Sequence, residues 1–184
     1  MSQAQMHLFR TAWQHRLCHG GELRKSSHGR GARPLSSKCA LHLVFKINRS
    51  AVKLGLRHPR NFRLVNEVIR QYRRKFFVKV EALSLQADHI HLSIRASKRS
   101  QFQSFFKVVA GQIAQRLTGT FHARSTGPRI WKHRPFTRVV RGFRAERVLR
   151  DYIQLNELEA LGRRVYRKQR LRGFTTQDLE ELWR

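Results

Sequence analysis

Between Asp88 and Ile94 the chain reads Asp-His-Ile-His-Leu-Ser-Ile, an alternation of polar and apolar side chains. That period belongs to a strand with one buried face, because successive side chains of an extended backbone point to opposite sides. Ile90, Leu92 and Ile94 then face a core, while His89, His91 and Ser93 face the other way. Leu41, Leu43, Phe45 and Ile47 repeat the pattern in an earlier segment and give a first strand over 41–47. The apolar face of such a sheet has to be covered, and its other face carries two imidazoles side by side. Two neighbouring imidazoles can grip one cation, but they are also ordinary surface groups in a basic chain.

The cover is legible between the strands. Pro59 suits a first helical turn, and Phe62, Val65, Val68, Ile69, Tyr72 and Phe76 recur at helical spacing after it. Val78 to Gln86 reads as a strand whose apolar positions slip from Val78, Val80 and Ala82 to Leu83 and Leu85, which predicts a bulge. Few residues separate it from the histidine strand, so the two form a tight antiparallel hairpin. Ser100 is placed to cap a further helix, whose stripe is Phe102, Phe105, Phe106, Val109, Ile113 and Leu117. An aromatic stripe at this spacing is core rather than a base-stacking platform. A loop over 119–135, a short strand over Phe136–Val140 and a helix from Arg144 to Ala160 complete the pattern. The order β-α-β-β-α-β with an added C-terminal helix predicts an α+β, ferredoxin-like fold: an antiparallel sheet with two helices on one face.

Charge points to the partner. With 39 Lys and Arg against 11 Asp and Glu, the 184-residue chain has a formal net charge of +28. Such an excess favours a polyanion, nucleic acid before an anionic membrane surface. No apolar run approaches a spanning helix, and no signal-peptide core opens the chain, so no membrane role is expected. Residues 1–37 have the composition of a basic flexible arm, and 161–184 that of a basic tail whose last short helix starts at Thr175 and reaches Trp183. His15, Cys18, His19 and His28 match no familiar zinc spacing, and the two cysteines, Cys18 and Cys39, fit a reducing compartment better than a disulfide. Arg30 and Arg33 in the arm, Lys132 and Arg134 before the last strand, and Arg163, Arg164, Arg167, Lys168 and Arg170 in the tail are candidate DNA contacts.

The helix over 144–160 has an apolar arc of Val148, Leu149, Ile153 and Ala160, and Tyr152 and Asn156 lie within it, four residues apart. A buried amide requires partners, because an unsatisfied one costs roughly 1–3 kcal/mol. Backbone groups would serve, and so would a cation on its carbonyl.

His89-Ile90-His91 after Asp88, followed by Tyr152-Ile153-Gln154-Leu155-Asn156 in a basic chain of this pattern, resembles the HUH single-tyrosine transposases of small insertion sequences. Their REP-associated relatives are the nearest likeness, since asparagine stands at 156 where many insertion-sequence members carry glutamine. Ile130-Trp131-Lys132-His133-Arg134-Pro135-Phe136 resembles the segment before the family's last strand. The likeness covers about 38–160. It implies Mg²⁺ or Mn²⁺ held by His89, His91 and Asn156, and Tyr152 as the nucleophile. It also implies cleavage and strand transfer of hairpin-bearing single-stranded DNA through a 5′-phosphotyrosine, by a monomer or homodimer at the bacterial nucleoid in the cytoplasm. The alternative is a non-catalytic nucleic-acid-binding protein of ferredoxin-like fold. Exposed sheet aromatics would favour that alternative; histidines stand on the exposed face of the central strand instead. A metal-free phosphoesterase with two His-x-Ser/Thr motifs is a further competitor; His91-Leu92-Ser93 supplies only one.

Overall fold

A computed structural model describes residues 17–21, 32–119 and 129–165. Its elements in chain order are β1 (Cys18–His19), β2 (Ala40–Lys46), α1 (Pro59–Lys75), β3 (Lys79–Leu85), β4 (His89–Arg95), α2 (Arg99–Thr118), β5 (Phe136–Val140) and α3 (Phe143–Ala160). The strands form one antiparallel sheet in the order β1-β5-β2-β4-β3. Leaving β1 aside, this is the ferredoxin-like order, with the histidine strand β4 between β2 and β3.

Register follows the alternation. Leu43 pairs with Leu92 and Phe45 with Ile90, so both apolar rows fall on one face. Helices α1 and α2 cover that face, and Phe45, Ile90, Leu92, Val65, Val68, Phe102 and Phe105 share one buried core. The expected slip in the second strand is real. Val80 pairs with Ile94 but Ala82 with Ser93, so Glu81 is the extra residue of a bulge. The hairpin between β3 and β4 closes with the Gln86 amide donating to the His89 carbonyl at 2.8 Å.

Four expectations need correction. Ser100 lies inside α2 and not at its cap. The cap is Lys98, whose backbone N–H donates to the Gln101 side chain at 2.8 Å, while Gly119 ends the helix at φ +69°. Val148 is 39% exposed and so lies off the packed face of α3, because the apolar cluster beneath that helix is narrow. The arm is not wholly outside the fold: Cys18 and His19 pair with Arg138 and Thr137 and add an edge strand. Nor is Arg33 poised for DNA. Its Nη1 donates to the Pro135 carbonyl at 2.8 Å and to Thr137 Oγ1 at 2.9 Å, and its guanidinium lies 5.5 Å from the Phe106 ring centre. A guanidinium so held ties residues 32–36 to β5.

Arg30, Arg167, Lys168, Arg170 and the short helix reaching Trp183 lie outside the described residues. Lys132, Arg134 and Arg163 are exposed, and Arg164 is half-buried. No helix among the described residues is long and apolar enough to cross a membrane.

Candidate active site

Among the described residues, the helix packed on the second face of the sheet is α3. Leu149 and Ile153 meet Ala40 and Val140 in a small apolar cluster, with Ala82, Ala145 and Tyr152 at its margin. Polar ties at both ends supplement this narrow contact. Near the start of the helix, Glu146 pairs with Arg95, which also donates to Glu81 at 2.9 Å. Near its end, the Glu157 carboxylate accepts from Arg57 Nη1 at 2.9 Å, from Ser84 Oγ at 3.0 Å and from the Leu85 amide at 3.2 Å. Gln86 Nε2 donates to Ser84 Oγ at 2.8 Å and to the Asn156 backbone carbonyl at 2.7 Å, which ties α3 to the turn before His89.

That fixation sets the tyrosine over the histidines. The Tyr152 ring stands edge-on to His91, with centres 5.5 Å apart and planes at 85°. It meets His42 in the same manner at 6.4 Å and 80°. His89 and His91 are T-shaped neighbours at 4.7 Å. Asn156, one turn beyond Tyr152, is 3% exposed, and its Nδ2 donates to the Tyr152 carbonyl at 2.7 Å. Its donor end is committed to the helix, and its carbonyl oxygen is the end that could serve a cation.

The imidazoles are themselves oriented. A carboxylate only accepts, so the 2.6 Å contact between His89 Nδ1 and Asp88 Oδ1 puts the proton on that nitrogen, and Nε2 is the nitrogen that could serve a cation. Burial works to raise the Asp88 carboxyl. The hydrogen bond and charge of His89, with the charge of Lys46, outweigh it and hold Asp88 below the usual carboxylate range. His91 meets His42 through Nδ1, at 3.1 Å from His42 Nε2 with the rings stacked at 5.3 Å. Burial, then the charges of Arg138 and His89, push His42 down to about 3, so its ring is neutral at ordinary pH. Two imidazoles bonded through Nδ1 are of a kind that fits a divalent cation, and the Asn156 carbonyl oxygen, one turn beyond Tyr152, is an oxygen donor of a kind that could join them. Among the described residues no group of three or more His, Cys, Asp or Glu gathers to hold one.

The sequence reading missed His42 and Glu157. His42 carried a signal, since it is the polar member of Leu41-His42-Leu43 and shares the face of His91. Glu157 carried none, because its partners lie 72 to 100 residues away. At the opposite edge, burial raises the Cys18 thiol to about 11 against the pull of Arg138, and Cys18 and Cys39 are both free thiols.

Comparison with known proteins agrees with this layout. The family model described as IS200-like transposase matches residues 35–156. The chain belongs to the IS200-like transposase family. No curated protein sequence matches it. Among solved structures, this transposase-family chain is similar to a REP-associated tyrosine transposase bound to a REP hairpin, at 16% identity and a TM-score of 0.55 over 71% of this chain and 73% of that one. It is also similar to a putative transposase from Deinococcus radiodurans, at 17% identity and a TM-score of 0.42 over 71% and 98%. The first likeness confirms the fold.

Proposed function

We propose that this member of the family is a metal-dependent endonuclease and strand transferase for single-stranded DNA, with Tyr152 as its nucleophile. The observation that carries the reading is the seat of Tyr152: a tyrosine ring held edge-on to His91, on the sheet face opposite α1 and α2. His89, His91 and Asn156 would hold Mg²⁺ or Mn²⁺, which supplies charge neutralisation and polarisation at a scissile phosphate. Tyr152 Oη gives up its proton and bonds to phosphorus, and the bond from phosphorus to the 3′-oxygen breaks. That oxygen takes a proton and leaves as a 3′-OH, while the 5′-phosphate stays on the tyrosine. Attack by a 3′-OH on the phosphotyrosine reverses the step and joins a new strand, with no external energy needed.

Other residues would bring the DNA to this point. Exposed Lys132, Arg134 and Arg163 offer phosphate contacts, with Arg164 beside them and further arginines in the tail. The relative's REP hairpin supports a hairpin-bearing substrate. A site that takes Tyr152 and both histidines from one chain would work as a monomer.

The test is denaturing electrophoresis after incubation with Mn²⁺ and labelled single-stranded hairpin DNA from the flanks of the gene. Wild type yields a covalent protein–DNA band. Tyr152→Phe binds the same DNA and yields none. A band that survives Tyr152→Phe moves the chemistry to another residue. Binding by wild type with no band under any metal makes the chain a non-catalytic binder.

A further inference from the structure

We infer that His42 is a positioning residue: it accepts a hydrogen bond from His91 Nδ1 and so commits His91 to present Nε2 to the cation. The inference rests on the proposed metal site and adds a fourth residue to it, one that touches neither cation nor DNA. Its basis is geometric. Leu43 pairs with Leu92 and Val44 with His91, so His42 and His91 come from neighbouring strands and lie diagonally on the same sheet face. Their rings stack at 17° with Nε2 and Nδ1 3.1 Å apart, a hydrogen-bond distance.

Only one of two arrangements is compatible with a ligand. If His42 donated, His91 Nδ1 would be the acceptor, and a neutral His91 would carry its proton on Nε2, where it blocks coordination. If His91 donates, Nε2 keeps its lone pair. His89 is held the same way by Asp88, through Nδ1 at 2.6 Å. The two histidines therefore have matched supports, a carboxylate under one and a neutral imidazole under the other. Partners of this kind change metal affinity by about 10–100-fold when removed.

Two measurements test the role on the full-length chain. The first is the ¹⁵N shift pattern of the metal-free wild type. His91 is expected as the Nδ1–H tautomer, and an Nε2–H tautomer overturns the inference whether or not any metal binds. The second is Mn²⁺ titration by calorimetry. His42→Phe keeps the stacked area, removes the acceptor and is expected to weaken Mn²⁺ binding about 10–100-fold. His42→Gln restores an acceptor near Nε2 and is expected to recover most of the loss. Wild-type binding that depends on His89 and His91 but is unchanged in a folded His42→Phe overturns the role of His42 and leaves the metal site standing. Wild type that binds no Mn²⁺ overturns the metal site itself, and the tautomer then decides the hydrogen bond alone.

Discussion

Removal of the Glu157 carboxylate is expected to loosen the tyrosine helix and cut covalent DNA capture while sparing DNA binding. Glu157→Ala deletes three contacts at once: the ion pair to Arg57 at 2.9 Å, the Ser84 hydroxyl at 3.0 Å and the Leu85 amide at 3.2 Å. The pair is half-buried, with side-chain exposures of 23% and 27%, so it exceeds a surface ion pair but falls short of a buried one. Arg57 keeps the Leu85 carbonyl at 2.9 Å, whereas the buried Ser84 hydroxyl, which only accepts from Gln86, and the Leu85 amide both lose their acceptor. A charge-assisted hydrogen bond of about 1.5–3 kcal/mol and a partly orphaned amide give a total of about 2–4 kcal/mol. The apolar part of α3 docking rests chiefly on Leu149 and Ile153, at about 1.5–3 kcal/mol each, so the loss is comparable with one or two of those side chains. Each 1.4 kcal/mol multiplies the undocked population about tenfold. Urea unfolding at pH 7 measures the stability, and the covalent band measures the capture. A loss under about 0.5 kcal/mol, the usual scale of a neutral surface change, would refute the latch; so would a full-strength covalent band.

Other outcomes follow from the charge, the buried ring and the single-chain site. Affinity for single-stranded DNA should fall steeply with salt. If Lys132, Arg134, Arg163 and Arg164 each meet a phosphate, a plot of log affinity against log salt has a slope of at least about −3, and a flat plot removes the polyanion reading. His42 lies at about 3 in the folded chain against an ordinary 6.5, so the unfolded state takes up a proton first as pH falls. Stability is undiminished above about pH 6.5 and drops by up to about 1.4 kcal/mol per pH unit from there towards 3. Urea unfolding of metal-free His42→Gln between pH 7 and 4.5 should show a slope shallower by one proton; identical slopes would place the lost proton elsewhere. If the proposed site is built within one chain, an equimolar mixture of Tyr152→Phe and His89→Ala chains should form no covalent band, because each carries one defective half. A restored band would mean that the tyrosine serves a partner's histidines.

Periodicity made most of this fold legible. Strands β2 and β4 declared themselves because one face is apolar and the other polar, although in β4 the polar His91 and Ser93 are buried as well, and even the bulge at Glu81 showed as a slip in the apolar register. Tyr152 and Asn156 stood out as polar groups on an apolar arc. What stayed hidden has no local signature. A two-residue strand such as Cys18–His19 is too short for any period, and its pairing depends on the β5 edge being available. Arg33 reads as one more arginine in a basic arm until Pro135 and Thr137 come within reach of it. His42 was readable by the same rule that selected His91, but its meaning comes from the neighbouring strand.

The division of labour between the two sheet faces explains why the candidate site sits where it does. One face meets two helices and a large apolar core, so its residues are fixed by packing alone. The other, among the described residues, meets α3 through a few apolar side chains, with the polar His91 and Ser93 buried beside them. A nucleophile on so lightly packed a helix needs its position set by other means, since misplacement by about 1 Å can reduce a rate roughly a hundredfold. Glu146 with Arg95 and Glu157 with Arg57, Ser84 and Leu85 supply that restraint on either side of Tyr152. Directional polar ties fix an orientation more sharply than apolar contact does. Of the seven acidic residues among those described, four, Glu81, Asp88, Glu146 and Glu157, hold the frame of the candidate site.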